Sequence, residues 1–191
     1  MSIPMYGQNK DGDALSAAAE IYGAGFKEIS TITAGDASHT LSTADAGIVL
    51  ISAALASGAV IKLPTANAAS VGLRYRLLYT ATMAAASKIQ LPDAGSAVFS
   101  GVVVQERAGS SGAGVAEHAT NVAILAIVPG ASKKSMELDE NNETFGGAIG
   151  SDLEFVYASK TKVIVTGRVL VNLATTALDG LTATMFTSTG Y

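Results

Sequence analysis

The stretch of sequence that decides the fold is Leu73-Arg74-Tyr75-Arg76-Leu77. Its three apolar residues alternate with its two arginines, a period of two that places successive side chains on opposite faces of an extended strand. We therefore predict a strand whose Leu73, Tyr75 and Leu77 face a hydrophobic core. Arg74 and Arg76 are expected on the opposite face of this strand.

The same pattern continues on both sides of this stretch. It is clearest in residues 162–173, where Val163, Val165, Val169 and Val171 fall on one face and are predicted to join the core. Many short β-rich runs with turn residues between them are typical of an all-β domain. The other runs are residues 27–33, 38–42, 48–52, 59–63, 73–82, 88–91, 97–105, 122–128, 133–138 and 153–158.

These runs predict an antiparallel β-sandwich or a barrel-like domain over residues 27–191. The alanine-rich residues 52–57 and 81–87 are predicted to be connections rather than helices, because each is short and lacks a polar stripe at helical spacing. No repeat of roughly 20–50 residues is visible, which argues against a solenoid.

Residues 1–26 follow a different pattern and predict an N-terminal arm. A polar leader precedes residues 13–22, in which Asp13 is placed to cap a short alanine-rich helix. Helices below about 12 residues are marginal in water, so this one needs a surface on which to dock. We expect the arm to be dispensable for folding of the β domain and to bind a partner through its apolar residues, which are Ile3, Met5, Tyr6, Leu15 and Ile21.

The composition excludes several classes of function. Charged residues make up 15% of the chain and the formal net charge is −4, whereas nucleic-acid binding relies on clustered Lys and Arg. The chain has no Cys and only two His, which leaves no disulfide, thiolate nucleophile or multi-His metal site. The longest uncharged stretch, residues 46–61, is shorter than the roughly 20 apolar residues of a membrane span. We therefore expect no nucleic-acid or membrane partner, and synthesis in the cytoplasm because no secretory signal is visible.

Four local motifs are candidates for sites of chemistry. The glycine-rich residues 109–114 lack the following helix of a phosphate-binding loop and predict a flexible hairpin loop. Residues 159–162 have the Ser-x-x-Lys spacing without its supporting motifs and predict a hairpin turn. Residues 139–143 predict an exposed turn, with a calcium or magnesium loop as the alternative. His39 and His118 have no local carboxylate or serine partner, so we predict no catalytic residue and no cofactor.

Three segments, specific in order and spacing, carry a resemblance to a known family. They are residues 40–47 with 60–64, residues 72–77, and residues 146–150 with 153–156, 165–167 and 183–186. Together they span residues 38–187 and resemble the capsid decoration (cement) or head-fibre type virion structural proteins of tailed bacteriophages. The resemblance implies a non-enzymatic protein without cofactors that forms a homo-oligomer, a trimer by family likeness. It also implies binding to the major capsid protein on the capsid exterior after synthesis in the host cytoplasm.

Two other functions stay open on the sequence alone. One is a tail-fibre or receptor-binding β domain of a phage, which would be present in far fewer copies per virion than a decoration protein. Its sugar-stacking surface would need aromatic residues, and these make up only 6% of the chain, with no Trp. The other is a small hydrolase, for which no pair of titratable groups at suitable spacing can be named.

Overall fold

The computed structural model describes residues 29–33, 38–83, 86–107, 124–139, 146–171 and 185–191. These residues contain twelve strands and a 3-10 turn at Thr43–Asp45, and none of them forms an α-helix. The predicted all-β, sandwich-like fold is confirmed. The strands are β1 (Ser30–Ile32), β2 (Ser38–Thr40), β3 (Gly47–Ile51), β4 (Val60–Lys62), β5 (Arg74–Tyr79), β6 (Ser87–Gln90), β7 (Val98–Arg107), β8 (Ile124–Ile127), β9 (Ser135–Leu138), β10 (Asp152–Ser159), β11 (Lys162–Val171) and β12 (Phe186–Thr187).

The strands form two sheets that share one hydrophobic core. The large sheet has the order β1-β3-β5-β10-β11-β7-β8, and the small sheet has the order β12-β9-β6-β4-β2. Residues from both sheets belong to a single buried cluster, whose largest members are Tyr75, Tyr157, Phe99 and Phe155. Each sheet therefore has one face in the core and one outer face, as period-two sequences require.

The first six strands wind alternately between the two sheets. β1, β3 and β5 are parallel neighbours in the large sheet, and β2, β4 and β6 are parallel neighbours in the small sheet. Ser30 pairs with Val49 and Val49 with Leu77, so successive turns use 19 and 28 residues. The expectation of antiparallel sheets is therefore corrected, because five of the ten strand pairings described are parallel and both sheets are mixed. The chain winds like a short solenoid over these strands, but its successive coils differ in length, and this explains why no repeat is visible in the sequence.

The remaining strands complete the sheets mainly by antiparallel pairing. The hairpin of β10 and β11 lies at the centre of the large sheet, and β10 pairs with β5. Residues 160–161 form the turn of this hairpin, as predicted for the Ser-x-x-Lys segment. Gly167 in β11 has φ 132°, and a Cβ there would overlap the carbonyl oxygen of Asp152. Glycine is therefore required for the close approach of β10 and β11 at this point.

The predicted core residues are confirmed. Six of the seven from the two key stretches are fully buried, and Leu73 is half-buried against the core. The buried ones are Tyr75, Leu77, Val163, Val165, Val169 and Val171. The rings of Tyr75 and Tyr157 meet edge to face with centroids 5.9 Å apart. Their hydroxyl groups donate to the carbonyl oxygens of Ser42 (2.9 Å) and Pro64 (2.6 Å), so burial leaves no polar tip unpaired. Burial raises the pKa of Tyr75 to about 12.

Residues 185–191, here called the strap, cross one end of the small sheet. Phe186 and Thr187 pair with β9, and the amide of Lys134 donates to the carbonyl of Thr187 at 2.8 Å. The Tyr191 hydroxyl then donates to the carbonyl of Leu63, beyond the end of β4, at 2.8 Å. The strap therefore ties β9, β6 and β4 together on their outer side.

Several sequence predictions fall outside the described residues. These are the arm, the glycine-rich residues 109–114 with His118, and most of residues 139–143. The connection at residues 52–57 is confirmed between β3 and β4, where the backbone is not helical. Within the described ranges, no helix has the length and apolar character needed to cross a membrane.

Candidate interaction face

The outer face of the large sheet, here called the open face, is the candidate functional surface. The period of two in β5 and β11 directs Leu77 and Val165 inward and leaves Arg76 and Ile164 outside. The face is broad because seven strands contribute to it. Its chemistry falls into a central charged band and an apolar flank on each side.

The charged band is centred on β5 and β10, and one further ion pair joins β11 to β7. Arg76 Nε donates to Asp152 Oδ1 at 3.0 Å, and Arg74 Nη1 lies 3.6 Å from Glu154 Oε1. Directly across the ladder, however, Arg76 faces Glu154 and Leu78 faces Asp152. Both ion pairs are thus diagonal, which the length of an arginine side chain allows. A third pair joins Arg168 to Glu106, with 3.8 Å between Nη1 and Oε2.

The Arg76–Asp152 pair favours the charged state of both its groups. The hydrogen bond from Arg76 is the main cause that lowers the pKa of Asp152 below its usual value, and the same bond raises the pKa of Arg76. A general acid or base needs a pKa near the working pH, whereas this hydrogen bond moves the pKa values of Asp152 and Arg76 away from neutral pH. The band is therefore suited to recognising charged groups on a partner.

The apolar flanks lie on either side of the band. On the β1–β3 side, Ile29 and Ile48 keep 47% and 41% of their surface exposed. On the β11–β7 side, Ile164 and Val102 keep 37% and 38% exposed. Exposed Ile and Val residues on one face make it a candidate surface for contact with another macromolecule.

A groove of about 410 Å³ runs along the middle of the open face. Its lining is formed by Arg76, Asp152, Glu154, Thr166, Gly167 and Arg168. The groove exposes both polar and apolar surface, and the strands on the two sides of Asp152 carry Arg76 and Arg168. Among the described residues, no group of three His, Cys, Asp or Glu is arranged to hold a metal ion.

The sequence identified only part of this face. Arg74 and Arg76 lie on the outer side of β5, as predicted, but their carboxylate partners in β10 were not foreseen. The alternation of charged and apolar residues in β10 indicates that its carboxylates point outward. The pairing register with β5, which brings them to the arginines, cannot be deduced from that pattern. The predicted arm residues Ile3, Met5, Tyr6, Leu15 and Ile21 lie outside the described residues, so their role stays a prediction. His39 lies half-buried in β2, away from the open face.

Comparison of the chain with protein-family models, curated proteins and solved structures found no match. The resemblance to bacteriophage decoration proteins therefore stays an expectation from the sequence, and the open face is the feature on which a function can be argued.

Proposed function

We propose that this chain is a structural virion protein that decorates and stabilises the outer surface of a bacteriophage capsid. It would bind the major capsid protein lattice and assemble as a homo-oligomer, with a trimer expected from the family resemblance. Its place would be the capsid exterior, reached after synthesis in the host cytoplasm. The arm residues Ile3, Met5, Tyr6, Leu15 and Ile21 are proposed as a second attachment point.

The observation that carries this proposal is the open face. Its exposed Ile48 and Val102 flank a band of ion pairs whose carboxylate at Asp152 stays charged. Protein interfaces combine apolar contact with paired polar groups in this way. A shell protein needs such faces, because its only task is to hold neighbouring subunits, and many weak copies add up to strong attachment.

Quantitative mass spectrometry of purified virions tests the proposal directly. A decoration protein should be present in numbers comparable to the capsid protein, because it occupies repeated positions of the lattice. Recovery of the chain in trace amounts, or its absence from particles, would contradict the proposal.

Binding of the purified protein to undecorated capsids tests the role of the open face. The variant Ile48→Lys/Val102→Lys places two charges on the apolar flanks and should reduce the bound amount strongly. Ile149→Lys is the matched control, since Ile149 is 60% exposed in the turn before β10. Equal loss in both variants would indicate that the open face has no special role.

The winding of β1–β6 favours a second candidate, a tail-fibre or receptor-binding domain. Stacked parallel turns are an architecture that extends readily along one axis. A fibre protein would be counted in tens of copies or fewer per virion and would label at the tail with specific antibodies. The copy number and the position of the label therefore separate the two functions.

A further inference from the structure

We propose that the open face docks a second copy of this chain face to face about a two-fold axis. In this arrangement Arg76 of each copy lies against Glu154 of the partner subunit. The inference rests on the proposed function only in treating the open face as a protein interface. It names a second copy as the partner that this face takes, so a loss of capsid binding in the open-face variants would follow from loss of pairing and of the avidity that pairing gives.

The first argument is the order of charges across the face. Both arginines of the band's centre are on β5, and both carboxylates are on β10, the next strand of the sheet. A two-fold axis in the contact plane, parallel to the strands and between β5 and β10, lays each β5 over the other copy's β10. Arg76 then lies over a carboxylate of the other copy, since Arg76 and Glu154 are at the same level of the two strands, and opposite charges across an interface fix its register.

The second argument is the order of apolar residues along one row. The pairing register places Ile48, Arg76, Glu154, Thr166 and Val102 side by side on β3, β5, β10, β11 and β7. The two-fold axis places this row of one copy over the same row of the other copy in reverse order, so that β3 lies over β11 and β1 lies over β7. Ile48 then contacts the methyl-bearing Thr166, and Ile29, next to β1, contacts Val102. One axis therefore satisfies both the charged band and the flanks.

The alternative two-fold orientation is unfavourable. An axis perpendicular to the strands lays each strand over its own copy, so that β5 faces β5 and β10 faces β10. Arginines would then meet arginines and carboxylates would meet carboxylates, and like charges in contact disfavour an interface. Both axes keep the strands of the two sheets aligned, as face-to-face packing favours, so the charges alone decide between them.

The charge balance of the face permits self-association. The band has three cations and three anions, namely Arg74, Arg76, Arg168, Asp152, Glu154 and Glu106, although the whole chain has a formal charge of −4. The open face is thus close to neutral on a negatively charged molecule. A two-fold contact closes with two copies, and it would join two trimers if the trimer expected from the resemblance forms through another surface.

Complementation between two charge-reversal variants tests the proposal. Arg76→Glu alone sets two carboxylates against each other at both contacts of a pair, and Glu154→Arg alone sets two guanidinium groups against each other. When the two variants are mixed, each contact again joins a carboxylate to a guanidinium group. We expect each variant alone to associate at least about tenfold more weakly than the wild type, and the mixture to regain the wild-type strength. Sedimentation equilibrium with one variant fluorescently labelled measures this.

Two further variants cover the case in which a single reversal fails to fold. Arg76→Glu/Glu154→Arg in one chain restores opposite charges at both contacts between copies, while it loses the two diagonal ion pairs with Asp152 and Arg74, and it should self-associate more strongly than either single variant. Ile48→Lys should weaken association, whereas the control Ile149→Lys should not.

Several results would overturn the inference. They are a wild type that stays monomeric at high micromolar concentration, a trimer indifferent to the charge reversals, or a mixture that fails to recover association. A chain that decorates capsids without self-association through this face would refute the inference and leave the proposed function standing. A chain that pairs as described but is missing from virions would support the inference and refute the proposed function.

Discussion

The outer faces of the two sheets differ in what covers them. On the small sheet, Gln90 points outward and is nevertheless only 7% exposed, because the strap crosses it. Gln90 Nε2 donates to the carbonyl of Thr189 at 3.2 Å. On the large sheet, the outward Ile48 and Ile164 remain exposed. The chain thus covers one end of the small sheet's outer face with its own residues, whereas the apolar residues of the large sheet's outer face stay exposed.

This difference teaches where a binding function belongs in a two-sheet protein. A face that the chain's own backbone covers contributes to stability, and changes there should act on unfolding. A face with exposed apolar residues and ion pairs contributes little to folding, and changes there should act on association. Four predictions test this division, beginning with the largest effect.

The largest effect is expected on the inner side of the large sheet. Val165→Asp places a carboxylate in the core, where Val165 is fully buried, and an unpaired buried charge costs as much as a typical domain's whole stability of about 5–15 kcal/mol. We expect loss of the fold, seen as loss of the cooperative thermal transition by circular dichroism. Ile164→Asp is the neighbouring control on the open face and should stay folded. Equal behaviour of the two variants would mean that the register of β11 is wrong.

The second effect concerns the strap. Gly190→Ala adds a Cβ that would overlap the carbonyl oxygen of Leu91, so the strap must shift and lose its bonds to the small sheet. We expect a loss of about 2 kcal/mol in urea unfolding, with faster amide exchange in β9. Gly130→Ala is the control, because its Cβ would meet only the Lys133 side chain at 3.7 Å. Faster exchange in β10 instead of β9 would contradict the assignment of the strap to the small sheet.

A smaller effect is expected from Tyr191→Phe. This change removes the hydroxyl that donates to the carbonyl of Leu63 and keeps the ring beneath Lys62 Nζ, which lies 5.1 Å from the ring centroid. The lost hydrogen bond is worth about 1 kcal/mol, measured as a lower urea midpoint with an unchanged slope. Tyr191→Ala, which also removes the ring, should cost more. Equal losses would show that the ring itself contributes nothing to the strap.

The sequence predicted which strand residues face the core, but it did not predict that the strap covers part of the small sheet. Tyr75 and Val165 were predicted as core because a period of two is a local property of a strand. Leu73 is only half-buried because it lies just before β5, where the chain enters the sheet. The strap residues 188–191 carry no strand pattern, so nothing in them signalled that they would cover Gln90.

The pairing of distant strands was equally out of reach. Arg76 and Asp152 are 76 residues apart, and their contact depends on β10 pairing with β5, which no local pattern encodes. The parallel winding of β1–β6 depends in the same way on each connection crossing to the other sheet. The sequence therefore predicted the outward-pointing arginines of the open face, but it did not predict the ion pairs that they form.

The smallest effect is the pH dependence of the Arg76–Asp152 pair. The pKa of Asp152 is below its ordinary value in the folded protein because Arg76 donates to its carboxylate, and it returns to that value on unfolding. The stabilising contribution is therefore complete above the unfolded value, which is near 4 for an aspartate, and is lost as the pH falls through the lower folded value. Asp152→Asn should be slightly less stable to heat than the wild type at pH 7, and the difference should shrink as the pH falls below the ordinary aspartate value.

The salt dependence of this difference connects it to the comparison of the two faces. An ion pair on an exposed surface is screened, so the difference at pH 7 should shrink in about 1 M salt at protein concentrations where the chain is monomeric. If a second copy covers the open face, the pair loses contact with water, and the difference should grow with protein concentration and resist salt. A difference that resists salt even in the monomer would mean that the large sheet's outer face is already covered within a single chain, as the small sheet's is by the strap.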